Sequence, residues 1–175
     1  MVKAVVYIHG KGGNIEESEH YKQFFPEDNV IGFEYQSQTP WEAADEFSDF
    51  FEHLHKEFDS IEIVANSIGA FFAMNALRGV QIEKAYFISP IVNMEKLITD
   101  MMQWAGVAEH ELMEKGTIKT AFGETLSMEY LTWVRKHPVS WNVPTSILYG
   151  SNDGLQSIDS IKAFAKINGA DLTVM

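Results

Sequence analysis

Apolar and polar positions along this chain fall into blocks of two kinds. Short continuous apolar runs, rich in β-branched residues, recur between longer stretches whose apolar residues lie three and four apart. Residues 2–8 form the first run and predict a central parallel strand covered on both faces. Residues 30–35, 61–65, 85–88, 146–149 and 172–175 predict five further strands. Thr39-Pro40-Trp41-Glu42 is a capping box with proline at the first helical position. Behind it, Phe47, Phe50, Phe51, Leu54 and Phe58 make one apolar helix stripe. Helices are also predicted over 68–77, closed by Arg78-Gly79, and over 158–167.

Apolar strands alternating with helices specify an α/β fold with a doubly wound, mostly parallel sheet. Residues 91 to about 140 break the alternation. They carry helical patterns only, over 94–104, 109–115 and 127–136, and predict a helical cap insertion within a single domain spanning 1–175. Ligands of such sheets bind beyond the carboxyl ends of the strands. An insertion that leaves at Pro90 and returns near Val143 is expected to roof that site.

Composition removes several function classes. With 175 residues, 46% of them hydrophobic, the chain can bury a sizeable core. There are 13 Lys and Arg against 25 Asp and Glu, net −12, with no basic cluster, which excludes a nucleic-acid partner. The acidity reads as a solvated surface, or as selection for a cationic substrate. No cysteine is present, so disulfides, a thiolate nucleophile and a Cys-ligated metal are excluded. No apolar stretch reaches signal-peptide or membrane length, and a soluble cytoplasmic protein without a membrane partner is the expectation.

Three short motifs fall at the carboxyl ends of three predicted strands: His9-Gly10-Lys11-Gly12-Gly13, Asn66-Ser67-Ile68-Gly69 and Tyr149-Gly150-Ser151-Asn152-Asp153. Each has a job in acyl transfer. A serine on a tight strand-to-helix turn, flanked by small Ala65 and Gly69, exposes its hydroxyl as a nucleophile. The helix starting there aims its first amides at a developing oxyanion, with Ile68 as one donor. The glycine-rich loop can supply a second donor, at Gly10 or Lys11. Asp153 would orient a histidine and stabilise its imidazolium.

These motifs, in this order, resemble the α/β-hydrolase superfamily, and more narrowly small bacterial hydrolases with an HGKGG loop, an ANSIG elbow and a P-T-x-I-L-Y-G-x-x-D stretch, here Pro144 to Asp153. The resemblance covers essentially the whole chain. It implies a serine hydrolase that cleaves a carboxylic ester or related acyl bond of a small molecule, with no cofactor or metal. Ala65 stands where the elbow motif has its first glycine.

The resemblance also implies a further strand and then a catalytic histidine beyond Asp153. All six histidines (His9, His20, His53, His55, His110 and His137) precede Asp153. The expectation is a chain in which the last elements and the histidine loop of the fold are missing. Alternatively, His110 or a second subunit supplies the base. A third reading is a non-catalytic binding protein for an acyl ligand or a partner. An exposed final strand would favour a homodimer.

Plainer readings stand beside these. Ser67 could cap the following helix. Asp153 could be a turn residue, with Asp159 as a second candidate for the acid. The HGKGG loop could be a tight turn or a phosphate cradle, although Lys11 lies too early for a P-loop. Gly10-x-Gly12 and Glu34 partly match a dinucleotide fingerprint, but Ile15 occupies the third glycine's place. Met101, Met102, Trp104 and Met113 read as core or cap packing, or as the lining of an acyl pocket. His53 and His55, with Glu52 and Glu57, read as a solvated helix face rather than a metal site.

Overall fold

A computed structural model describes residues Met1–Met175. Its first compact unit comprises residues 1–92 and 140–175. Six strands form one sheet: β1 (Lys3–Ile8), β2 (Asn29–Phe33), β3 (Ser60–Asn66), β4 (Lys84–Ile88), β7 (Thr145–Tyr149) and β8 (Asp171–Val174). Their order is β2-β1-β3-β4-β7-β8, and every neighbouring pair is parallel. The connections are a 3-10 helix (Ile15–Phe24), α1 (Pro40–Leu54), α2 (Ile68–Ala76) and α6 (Ile158–Asn168). The doubly wound parallel sheet anticipated from the apolar runs is present.

Each element follows from its residues. The continuous run Ala4–Ile8 is fully buried, as a strand covered on both faces requires. The Thr39–Glu42 capping box forms, with Pro40 opening α1. Phe47, Phe51 and Leu54 of the stripe are buried, and Phe50 stacks on Phe33 with ring centroids 4.0 Å apart. Phe58 lies beyond the end of α1. On the other face, Val5, Tyr7 and Val64 form a cluster packed by Tyr21, Phe25, Val30, Tyr86 and Ile88.

The second unit spans residues 93–139. It contains α3 (Met94–Ala105), α4 (Glu109–Lys115), α5 (Met128–Lys136) and an antiparallel hairpin of β5 (Thr117–Lys119) and β6 (Thr125–Ser127). The hairpin corrects the expectation of an all-helical insertion. Three-residue strands are too short to register as a period, and their turn is carried by Gly123 in the left-handed region, φ +85°. Leu97, Met102, Leu112, Leu126 and Leu131 are buried, whereas Trp104 and Met113 are exposed. Arg135 ties α5 to α3 and α4, its Nε 2.8 Å from Glu95 and its Nη1 2.5 Å from Glu109. No helix is long and apolar enough to cross a membrane.

Candidate active site

The sheet order reverses at β1. The chain leaves β1 toward the 3-10 helix on the face of Tyr7 and Val64, whose cluster holds Tyr21 and Phe25. It leaves β3, the other neighbour of β1, into α2, whose Phe72 meets Tyr35 on the α1 face. Adjacent strands whose connections depart to opposite faces open a crevice at their carboxyl ends, where ligands of α/β sheets bind. The His9–Gly13 loop and the Asn66–Gly69 elbow occupy that position.

Ser67 has φ 53° and ψ −119°, a backbone conformation that side chains resist. It stands immediately before α2, yet its side chain makes no capping hydrogen bond. Asn14, Thr39, Asn93, Ser127 and Ser157 all cap the helices behind them through a side-chain oxygen. The capping role considered for Ser67 therefore does not hold. Ser67 is instead a half-buried serine in a strained corner at the carboxyl end of β3, withheld from its own helix.

Two glycines permit this corner. A Cβ on Gly69 would lie 2.5 Å from the His9 carbonyl oxygen and 2.8 Å from that of Ile8, so no side chain fits. A Cβ on Gly10 would lie 3.3 Å from both the Asn66 oxygen and Ser67 Cβ. The glycine-rich loop is thus seated directly against the elbow. It turns through a Gly13 N–H to Gly10 O bond of 3.1 Å, with Gly12 at φ +76°. Ile68 is the first residue of α2, where helix amides have no intrahelical partner.

His9 shapes this loop. Its ring stacks on Tyr35 with centroids 4.3 Å apart, its Nδ1 lies 2.8 Å from Gly10 O, and its carbonyl accepts from the Tyr35 hydroxyl at 2.6 Å. The other histidines are placed elsewhere. His20 packs edge-on to Tyr21 and Phe24, His53 pairs with Glu57, and His137 stacks on Trp133. His55 ends α1 and His110 lies on α4. None of them is hydrogen-bonded to Ser67 or Asp153.

The third motif is linked to the elbow through β4. Ser67 donates its amide to Ile88 O at 3.0 Å, and its own carbonyl accepts from Ile91 at 3.1 Å. Ser89 follows, with φ 39°; it donates its amide to Leu148 O, and its Oγ accepts from the Gly150 amide at 3.1 Å. Asp153 lies in the turn beyond, half-buried, its Oδ1 accepting from the Leu155 amide at 2.8 Å. Asp153 therefore does fill the turn role, with one carboxylate oxygen. Burial, aided by the charge of Asp153, raises the pKa of the Tyr149 phenol. Asp159 sits in the exposed first turn of α6.

Sequence reasoning passed over Ser89 and Gln156. Gln156 is buried; it accepts from the Val92 amide at 3.0 Å, and its carbonyl accepts from the Tyr149 hydroxyl. The only sequence signal for Ser89 is Ser-Pro closing a strand, and Gln156 carries none. The dinucleotide reading fails locally, because Glu34 is exposed and Ile15 opens a 3-10 helix.

No family model matches the sequence. A Mycoplasma genitalium protein that carries an esterase/lipase name is 28% identical over 80 residues, 44% of this chain and 29% of that protein. The chain thus spans under a third of this relative's length. Among solved structures, Est1E from Butyrivibrio proteoclasticus superposes with a TM-score of 0.78 at 16% identity, covering 99% of this chain and 78% of the other. Mouse alpha/beta hydrolase domain-containing protein 10 superposes with a TM-score of 0.66 at 14% identity, covering 98% and 78%.

The fold is the α/β-hydrolase fold. In this α/β-hydrolase scaffold the strained serine, the glycine-rich loop and the Asp153 turn all lie at carboxyl ends of strands, those of β3, β1 and β7.

Proposed function

We propose that this chain is a serine hydrolase that cleaves a carboxylic ester or related acyl bond through an acyl-enzyme. One observation carries the reading: Ser67 holds a strained, uncapped corner at the switch point of an α/β-hydrolase sheet. Ser67 attacks the acyl carbonyl. The Ile68 amide, with those of Gly10 and Lys11, receives the negative charge that develops on its oxygen. Donors fixed by a helix start and a tight turn need no reorganisation during the step. The Gly10 and Gly69 contacts support this by holding loop and elbow in fixed register.

Asp153 is the acid of the relay. It follows β7, two strands from β3, the strand that leads into Ser67. Two strand spacings are about 9–10 Å at the backbone, room for one imidazole hydrogen-bonded on both sides. A base between them is required, so the protein made from its complete gene is the one to test. The names of the Mycoplasma relative and of the structural neighbours support hydrolysis as the reaction class.

The test is intact-mass spectrometry after exposure to a fluorophosphonate. One adduct, mapped to Ser67 and lost in Ser67→Ala together with hydrolysis of short-chain aryl esters, is the expected result. An unlabelled, folded protein would overturn the reading and favour the binding alternative.

A further inference from the structure

We propose that Ser89 is a positioning residue that holds the Asp153 turn in register with the Ser67 corner, a role that rests on Ser67 as nucleophile and Asp153 as acid. Ser67 and Ser89 are the two non-glycine residues of the chain with positive φ, 53° and 39°. Strain of this kind gathers at functional sites and persists only where the surroundings over-determine it. Asn66 and Ile88 are partners in the β3–β4 ladder, and each strained serine is the next residue of its strand. The two therefore stand side by side at the carboxyl edge of the sheet.

Ser89 breaks one ladder and repairs it with its side chain. Its amide donates to Leu148 O at 2.8 Å, which carries the β4–β7 pairing one step past Ile88 and Leu148. The next bond of a parallel ladder would run from the Gly150 amide to the Ser89 carbonyl. It runs instead to Ser89 Oγ, at 3.1 Å. At φ 39° the backbone has left the extended region, and the carbonyl has left the ladder with it. The same departure leads through Pro90, which has no amide to offer, to Ile91, whose amide reaches Ser67 O at 3.1 Å. Ile88 O, on the near side of Ser89, accepts from the Ser67 amide at 3.0 Å.

Gly150 passes this restraint on. Its amide is held by Ser89 Oγ, and its carbonyl accepts from the Asp153 amide at 3.0 Å, closing the turn that presents the carboxylate. On the β8 side the same turn is tied by Ser151 N–H to Met175 O and Met175 N–H to Tyr149 O. On the β4 side, facing Ser67, the Ser89 hydroxyl is the tie. Backbone conformation alone would call for glycine at position 89, since glycine adopts positive φ without strain. Serine in its place supplies the one thing glycine lacks, an acceptor for the amide that the broken ladder leaves over. A continuous line of hydrogen bonds thus joins the two segments: Ser67 to Ile88 and Ile91, Ser89 between them to Gly150, and Gly150 to Asp153.

Fluorophosphonate inactivation of the complete gene product tests this, with the maximal rate separated from reagent affinity and the melting temperature measured alongside. Ser89→Ala is expected to lower the maximal rate about tenfold with affinity unchanged, the effect of losing one hydrogen bond that positions the acid. Ser89→Gly, which relieves the strained φ and keeps the protein folded if alanine does not, should be as slow. In an Asp153→Asn background, itself slow, adding Ser89→Gly should cost less than about twofold more, because the residue acts through Asp153. A folded Ser89→Gly protein that reacts at the parent rate, even with an altered melting temperature, would overturn the positioning role and leave the nucleophile intact. A full tenfold loss that persists in the Asp153→Asn background would overturn the route through Asp153. An unreactive parent would overturn both this inference and the reading beneath it.

Discussion

Ser67 holds a conformation that glycine would accept more readily than serine, and this yields a prediction free of any assay of activity. Strain at a non-glycine residue in such a region is worth about 1–3 kcal/mol, and glycine costs roughly 0.5–1 kcal/mol in chain entropy. Ser67→Gly is therefore expected to exceed Ser67→Ala in unfolding free energy by about 1 kcal/mol, read by chemical denaturation, although both lack the hydroxyl. An alanine variant more stable than the glycine one would mean the corner is relaxed. Gly69→Ala meets two backbone carbonyls and cannot turn away. It should destabilise by about 3 kcal/mol and abolish serine labelling in whatever protein remains folded. At this scale the sequence was half legible. Serine followed two residues later by glycine after an apolar run marks the elbow, because only glycine survives so close an approach. The pairing of Tyr7 with Val64 was not legible, since it depends on β1 lying beside β3 in one register, which no local pattern fixes.

Among the elements, those with strong periodicity and conventional ends were readable and the weak ones were not. The α1 capping box has both halves formed, Glu42 N–H to Thr39 Oγ1 and Thr39 N–H to a Glu42 oxygen. Thr39→Ala is expected to cost about 1 kcal/mol in unfolding free energy, measured by thermal or denaturant melts, with labelling of Ser67 unchanged. The 3-10 helix over Ile15–Phe24 is mostly polar and its buried residue is Ser18, so it offers no apolar stripe to detect. It forms because Tyr21 and the following Phe25 find the sheet, a tertiary reason. The β5–β6 hairpin is illegible for want of length. Within the last connection, Gln156 should behave as a buried staple. Gln156→Leu leaves the Val92 amide without its acceptor and is expected to destabilise by about 1–3 kcal/mol, again by denaturation.

For the whole molecule, the buried phenols set behaviour at high pH. Tyr7 and Tyr35 have pKa values raised well above the ordinary 10.0, first by burial and then by the nearby Glu17 and Glu46. Above pH 10 the unfolded chain releases these protons and the folded chain keeps them. Stability is therefore fully present below that pH and falls as pH rises through it. Phenolate absorbance is expected to appear for these two tyrosines only together with loss of the far-ultraviolet circular dichroism signal. Ionisation in advance of unfolding would contradict their burial. The parallel sheet itself was legible at this scale, because near-continuous apolar strands can be satisfied only by cover on both faces.

The pairing of β4 with β7 has one more consequence. These strands are neighbours in the sheet, although the segment 93–139 lies between them in the chain. The excursion therefore departs from and returns to adjoining strands, and the sheet registers do not depend on its length. Closing a flexible loop twice as long costs only about 0.6 kcal/mol more. A lineage carrying this scaffold is free to lengthen, trim or exchange that segment while β3, its serine corner and the glycine-rich loop are inherited intact. Evolution can vary this part of the chain as a replaceable module, without renegotiating the sheet on which the candidate chemistry stands.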